Sequence, residues 1–554
     1  MKKYSTPNKK IPVLRQPHGF KTISEMVNIC AEKYSDKTAY KIPRNSQIIK
    51  YSFGDVLNLV SRLAKYLSDK GISKGDKIAI IGDNCPEWGI SFFAISWIGA
   101  VAVPLDARAH VDSHKLALSH SKSKAVITSN SFYDSINSLK SEVPSLKTVI
   151  QMEELDGIKN KYSTGITPVK IDTNDLMEIL FTSGTTGDPK GVMLSHRNLM
   201  SNVEDVHRII DLNEDDTAFS ILPMHHVYEC TGGLLSTFYN GACVFYARGL
   251  KPREMLADLK EASPSIWLNS PLILEKLYQR INKELNSQIK LKSFMINRIP
   301  KKIIGNKVKK KLGLDKIRLI LSGGAALPGW VGKGLGELGF PIIQGYGLSE
   351  ASPLITINPL SSPKNESVGM VIPSVDVRIV DIDTDGNGEI LARGDNIMKG
   401  YYNNISATKE VLTDDGWLKT GDIGYFDEEG YLYITGRKKF VIVTRGGKNV
   451  FPEEVEEKLC KSVFIEEAMV FSPDDSQIQA LIFPNIDEVK IEIEKSGKEY
   501  NDDACRQFIH NEIREANKKL EAYKKVSKFE LREEEFPKTT TRKIKRHLFK
   551  DYKL

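Results

Sequence analysis

Residues Phe181 to His196, FTSGTTGDPKGVMLSH, put small residues, hydroxyls and one lysine into a single loop. Thr182, Ser183, Gly184, Thr185, Thr186, Gly187 and Lys190 are the residue types a phosphate group calls for. Glycines let backbone N–H groups come close to a ligand, hydroxyls donate hydrogen bonds, and a lysine supplies positive charge. The spacing is not that of a Walker A loop. Lys190 is followed by Gly191 instead of Ser or Thr, and no helix opens at the lysine.

Four other stretches carry chemistry. Ser322-Gly323-Gly324-Ala325-Ala326-Leu327-Pro328 ends the apolar run Leu319-Ile320-Leu321 in tiny residues, so a flat ring can lie on the backbone. Gly345-Tyr346-Gly347-Leu348-Ser349-Glu350 follows Pro341-Ile342-Ile343-Gln344. Tyr346 offers a ring to stack on a base, and Glu350 offers oxygen to a hard cation. Met224 to Glu229 holds His225 and His226 side by side. Neighbouring side chains of an extended segment point to opposite faces, so the pair is read as unable to share one metal ion. One buried histidine lining a pocket is expected instead. Phe536 to Arg546 carries Lys538, Arg542, Lys543, Lys545 and Arg546, the composition of an anion clamp or a nucleic-acid patch. Asp381-Ile382-Asp383-Thr384-Asp385-Gly386 begins like a calcium loop, but its twelfth position is Ala392, and it reads as a β-turn.

The elements that hold these stretches follow from apolar periodicity. Leu176 to Phe181 and Val192 to Leu194 read as short buried strands flanking the phosphate loop, and Lys77 to Ile81, Ala125 to Thr128 and Thr148 to Ile150 as further strands. Helices are expected from Thr22, with Glu25 completing a capping box, through Tyr34, and over Gly54–Lys70 and Asn198–Ile210. Strands alternating with helices imply parallel, helix-covered sheets, with ligands beyond the strand carboxyl ends. From Trp417 the texture shifts to short strands, and Gly436-Arg437-Lys438-Lys439 reads as a domain boundary. The remainder is enough for a small α+β domain, with helices at Pro452–Lys461 and Asn501–Leu520 and strands near Glu467 and Gln479.

The chain of 554 residues is 41% hydrophobic and 27% charged, as in globular proteins, and exceeds one ordinary domain. A net charge of +7 is modest for that length and argues against a dedicated nucleic-acid binder. Six scattered cysteines without a CxxC pair suit a reducing cytoplasm and no structural metal. The N-terminus has no apolar core of the kind a signal peptide needs. The uncharged run Trp88 to Leu105 is punctuated by Gly99 and Pro104, and it splits into a buried helix and a short strand. Gln288 to Arg318 is strongly basic with apolar residues interleaved. It reads either as a solvated helical face plus a linker or as a surface for anionic lipid headgroups.

Taken in order, TSGTTGDPKG at 182–191, SGGAALP at 322–328, GYGLSE at 345–350, KTGDIG at 419–424, GRKK at 436–439 and PKTTTRKIKR at 537–546 resemble the adenylate-forming enzymes. That group includes acyl-CoA synthetases, aryl-CoA ligases, firefly luciferase and peptide-synthetase adenylation domains, and the resemblance runs from about Thr22 to Arg546. It implies an α/β fold, with a large N-terminal domain of helix-covered sheets (1–436) and a smaller mobile α+β C-terminal domain (437–554). It also implies ATP and Mg²⁺ as ligands and coenzyme A as co-substrate. The loop Thr182 to Lys190 would hold the β- and γ-phosphates. Ser322 to Ala326, with Gly324, Ala325 and Ala326 among them, and Tyr346 would form the adenine pocket, Gly347 would also touch the cofactor, Ser349 would meet the α-phosphate, and Glu350 would bind Mg²⁺. Asp422 would grip the ribose hydroxyls with help from Arg437, Lys439 would sit at the hinge, and Lys543 would bridge the acid and the phosphates. The family usually has Gly before that lysine; this chain has Arg542, which resists a positive φ.

Amino-acid-activating relatives carry an Asp in the segment matching Met224 to Tyr228, where this chain has His226. LPMHHVYE at 222–229 and WLNSPLILEKLYQRI at 267–281 look like long-chain fatty acyl-CoA synthetases. The resemblance therefore implies a long-chain fatty acid as substrate and His226 at the catalytic site. A carrier-protein acceptor and a medium-chain or aryl acid are the alternatives. A cytoplasmic protein is expected, with the inner face of an anionic membrane as its one further contact and no nucleic-acid partner.

Overall fold

The computed structural model describes residues 5–7, 9–182, 190–291, 300–444, 448–473, 477–538, 544–549 and 552. Ser183, Gly184, Thr185, Thr186, Gly187 and Lys543 lie outside the described residues, as do Arg542 and residues 292–299 of the basic stretch.

The continuous apolar runs become the centre of a seven-stranded sheet. Lys77–Ile81 lies between Val101–Leu105 and Ala125–Thr128, and both pairings are parallel. Strands covered on both faces need no polar alternation, which is why these runs read as unbroken. The helix Pro86–Trp97 is buried along its whole length, with Pro86 in its first turn. Gly99, at φ +66°, turns the chain directly into Val101–Leu105. The uncharged run is thus a core helix and strand. Among the described residues no helix is long and apolar enough to cross a membrane. The strands on either side of the expected phosphate loop form a hairpin at one side of this sheet. Leu176–Thr182 and Lys190–Ser195 pair antiparallel, with Thr182 opposite Lys190.

A second sheet has thirteen strands. Its parallel half includes Thr217–Ser220, Cys243–Tyr246, Ile266–Asn269, Leu319–Ser322 and Ile342–Gly347. Its other half, including Val375–Val380, Gly388–Gly394, Leu418–Phe426 and Tyr431–Arg437, is antiparallel. The strand-helix alternation that implied parallel sheets stops here: Val375–Val380 and Gly388–Gly394, and likewise Leu418–Phe426 and Tyr431–Arg437, are joined by turns too short for a crossover helix. The segment after Val380 is such a turn, with Asp381 at φ +53° and Gly386 at φ +88°.

The smaller C-terminal domain packs its own core, including Val455, Leu459, Val470, Ala480, Ile482 and Ile509. Its three-stranded sheet joins Ile465–Phe471, Ile478–Pro484 and Val526–Leu531. The helix Ile486–Lys495, capped by Asn485, was not anticipated, because its apolar face is narrow between charged residues. At the N-terminus Thr22 caps Ile23–Lys33 by accepting the Glu25 N–H, as expected. The capping box is not closed, since the Glu25 carboxylate takes the Lys21 N–H at 2.7 Å instead of that of Thr22.

Candidate active site

The carboxyl ends of the parallel strands, the antiparallel half of the large sheet and the C-terminal domain enclose one cavity of about 2890 Å³. Thr182 and Lys190, at the two ends of the phosphate loop, both line it, and the Thr182 hydroxyl donates to the Lys190 carbonyl at 3.4 Å. Lys538 and Ile544 also line it, and they pair as an isolated antiparallel bridge. The two segments richest in expected phosphate-binding groups therefore both leave from this wall.

Tyr346, on Ile342–Gly347, sends its hydroxyl to Asp422 Oδ2 at 2.7 Å. Asp422 and Arg437 are cross-strand partners, and Arg437 Nε lies 2.8 Å from Asp422 Oδ1. Register alone places this guanidinium beside this carboxylate, although fifteen positions of chain separate them. Asp422 is buried at 4% exposure, and its partners Tyr346 and Arg437 line the cavity. Burial pushes the Tyr346 hydroxyl well above its ordinary range, and the Asp422 charge adds to this.

Gly324 and Ala325 line the cavity next to Gly347 and Ser349; Ala326 follows them in the same exposed turn. Gly324 holds φ +83°, a conformation that favours glycine. A Cβ on Gly323 would lie 2.9 Å from the Tyr228 ring, so that glycine lets the aromatic ring settle on the backbone. Glu350 lies in the short turn Ser349–Ala351 and accepts the Tyr401 hydroxyl at 2.8 Å. Lys190 Nζ sits 5.1 Å from the centre of the same Tyr401 ring. Tyr401 thus joins the expected metal-binding carboxylate to the expected phosphate lysine. Nothing in the sequence marked it. It arrives because Gly400–Tyr401 pairs with Lys190–Ser195 across the sheet edge.

Magnesium fits this donor set. It keeps waters and takes one or two carboxylates plus phosphate oxygens. Among the described residues no group of three His, Cys, Asp or Glu side chains forms a protein cage.

The His225-His226 segment departs from expectation. It is a turn leading into the π-helix Tyr228–Leu235, not an extended strand. The two rings lie side by side with centroids 4.2 Å apart, so the argument from opposite faces fails. Both line the cavity, and burial lowers the proton affinity of both. Lys439 lies in the turn Lys438–Phe440, its Nζ 4.6 Å from the Phe440 ring centre, and Lys438 pairs with Glu389 at 2.7 Å.

Two buried carboxyls also escaped the sequence reading. Glu178, on the strand entering the phosphate loop, has no hydrogen-bond partner, and burial pushes it up to about 8. Glu229 is likewise raised to about 8 by burial and accepts the Ser220 hydroxyl at 2.6 Å. The signal for Glu178 was a lone acid inside an otherwise apolar strand.

Known proteins share this architecture. A long-chain-fatty-acid–CoA ligase of Bacillus subtilis (strain 168) is 29% identical, over 95% of this chain and 93% of its own length. A chloroplastic long-chain-fatty-acid–acyl-carrier-protein ligase of Arabidopsis thaliana is 27% identical, over 89% of this chain and 80% of its own. ATP-bound MatB from Rhodopseudomonas palustris has the same fold, with a TM-score of 0.77 at 22% identity over 96% of this chain and 99% of that one. The AMP-binding enzyme C-terminal domain matches residues 439–553. The AMP-binding enzyme family itself matches residues 28–402, more than half of the sequence and most of the cavity wall, and the chain belongs to that family.

Proposed function

We propose that the protein activates a long-chain fatty acid with ATP, forming acyl-AMP and pyrophosphate, and then transfers the acyl group to coenzyme A with release of AMP. The observation that carries the reading is the convergence of the Tyr346–Asp422–Arg437 cluster and the Lys190–Tyr401–Glu350 cluster on one cavity. One suits a nucleoside and the other a metal-bound polyphosphate. The resemblance to the long-chain enzymes at 222–229 and 267–281 and the B. subtilis relative support the chain class. The acceptor in the A. thaliana relative's name keeps an acyl carrier protein as second reading.

The chemistry joins two anions, a carboxylate and the α-phosphate, so positive charge must be preorganised between them. Lys190 and the loop Thr182 to Gly187 hold the departing phosphates, Ser349 orients the α-phosphate, and Lys543 bridges it to the acid. Glu350 would hold magnesium, which when bound would supply further positive charge to the phosphate oxygens. Gly324, Ala325, Ala326, Tyr346 and Gly347 receive the adenine, and Asp422 with Arg437 holds the ribose. His226 faces the reacting carbonyl.

The domain boundary falls between residues 436 and 437, and the C-terminal domain turns about Lys439 between the two steps. Contacts across it that suit such motion are polar, the exposed pair Lys283–Glu488 at 2.9 Å and the part-buried bond from Asn449 Nδ2 to Asp383 Oδ2 at 3.1 Å. The protein works in the cytoplasm, in keeping with six unbridged cysteines. Its basic stretch rests on anionic lipid, an idea that equal binding to neutral and anionic liposomes would remove. A fatty-acid chain-length series with ATP, offered CoA or acyl carrier protein and read as AMP release, tests the whole reading. No release with any chain length or acceptor would refute it.

A further inference from the structure

The cavity has a polar wall of which the chemistry described above uses His226 alone. Beyond the carboxyl ends of Lys77–Ile81 and Val101–Leu105, Asn84 and Asp106 face the turn that carries His225 and His226. Asn84 fixes that turn. Its Nδ2 donates to the Leu222 carbonyl at 2.6 Å and to Ser220 Oγ at 2.9 Å, and its Oδ1 accepts the Met224 N–H at 3.0 Å. His225 Nε2 then lies 4.0 Å from Asp106 Oδ1, an ion-pair distance too long for a hydrogen bond. Asp106 is itself held in place. Its Oδ1 accepts the Arg108 N–H at 2.9 Å, and its carbonyl lies 2.7 Å from His114 Nε2.

Three polar atoms of this wall are buried without a hydrogen-bond partner: Asp106 Oδ2, His225 Nε2 and His226 Nε2. Leaving such a group unpaired costs about 1–3 kcal/mol, and three on one cavity wall ask for an explanation in function. Burial first, then His226 and Arg108, disfavour a proton on His225, and Arg108 lies 3.6 Å from Asp83. Glu229, just beyond the turn, accepts the Ser220 hydroxyl on Oε1 and leaves Oε2 also buried without a partner, and burial raises its proton affinity. The Asp106 charge favours a proton on His226 against the desolvation that otherwise keeps this ring neutral. The wall is therefore an empty proton acceptor with a counter-charge already in place.

We propose that His226 takes the thiol proton in the acyl-transfer step, with Asp106 and His225 as positioning residues that orient the ring and stabilise the imidazolium it becomes. The inference rests on the CoA-ligase reading above. A thiol with a pKa near ~8.5 is only a few per cent ionised near neutrality, so an acceptor has work to do. In the tautomer protonated on Nδ1, His226 Nε2 presents a lone pair. The S–H bond breaks as Nε2–H forms, and the sulfur pair makes the bond to the acyl carbon. The bond from that carbon to the AMP phosphate oxygen breaks, and its electron pair leaves with AMP. The proton then passes from His226 to the AMP phosphate.

The test compares wild type with Asp106→Asn and His225→Phe. Supplied long-chain acyl-AMP and CoA report thioester formation from about pH 6 to 9, and ATP–pyrophosphate exchange is followed in parallel. Both variants are expected to form thioester about tenfold or more slowly near neutrality. Their rates should rise at higher pH, following ionisation of the thiol itself, while exchange stays within about twofold. The exchange reaction also reports that the variants are folded. An unchanged pH profile, or equal loss in both half-reactions, overturns the assignment. Wild-type protein that exchanges no pyrophosphate and consumes no acyl-AMP would instead overturn the ligase reading, and this assignment with it.

Discussion

Replacing Asp422 by Ala removes the acceptor of both the Tyr346 hydroxyl and the Arg437 guanidinium. Two consequences separate. The folded protein loses one buried hydrogen bond and one ion pair; Arg437 is 41% exposed, so water screens much of that pair, and the cost in stability is about 1–2 kcal/mol. The nucleotide loses a charged acceptor for its ribose. Bonds to charged groups contribute about 1.5–3 kcal/mol each, and two such bonds do not add fully, which gives about 2–4 kcal/mol. The KM for ATP in pyrophosphate exchange is then expected to rise roughly 30- to 1,000-fold, with a fall in Tm of a few degrees. The decisive comparison uses 2′-deoxy-ATP. If Asp422 holds the ribose hydroxyls, the analogue is penalised in the wild type and hardly at all in Asp422→Ala, because the bond is already lost. Additive penalties would refute the ribose assignment, even with the expected loss of ATP affinity.

Other substitutions test the remaining parts. Lys543→Ala is expected to abolish adenylate formation, a loss of about 3–4 kcal/mol in the transition state, while supplied acyl-AMP is still converted to the thioester; equal loss in both half-reactions would reject that role. Tyr401→Phe removes the hydroxyl that orients Glu350, and a several-fold higher Mg²⁺ requirement in pyrophosphate exchange is expected, with an unchanged requirement counting against Glu350 as the metal ligand. Glu178, raised to about 8 in the folded chain, binds a proton that the unfolded chain releases near its ordinary value. Stability from this group is therefore present at low pH and falls progressively as pH rises toward 8. Glu178→Leu should flatten that fall, and its Tm should exceed that of the wild type by several degrees above pH ~8; a parallel pH dependence in both proteins would contradict the burial argument.

The phosphate hairpin was legible because its flanking strands are short apolar runs and its loop consists of glycine, hydroxyls and lysine. The buried helix and strand at Trp88 to Leu105 were legible from one glycine and one proline. Histidine geometry was not, since adjacency in sequence says nothing of rotamer, and the turn that brings the His225 and His226 rings together is tied down by Asn84, more than a hundred residues away. Tyr401 was equally hidden, because an edge-strand pairing of two residues brings it to Lys190. Local propensity reads elements, whereas a site assembled from non-local pairings needs the register.

That assembly bears on how one cavity runs two reactions. The wall proposed for the nucleotide pairs its polar groups among themselves: Tyr346 and Arg437 on Asp422, and Tyr401 on Glu350. A ligand there exchanges bonds already made, so the side chains are oriented before it arrives and little ordering is left to do. The wall formed by Asp106, His225 and His226 leaves one buried atom of each side chain unpaired and its imidazoles depleted of protons by burial. A group meant to gain a proton during reaction cannot be saturated beforehand, whereas a group meant to hold a ligand gains from being held. On this argument, binding and proton transfer divide between the two walls, and substitutions in one should leave the other's half-reaction largely intact.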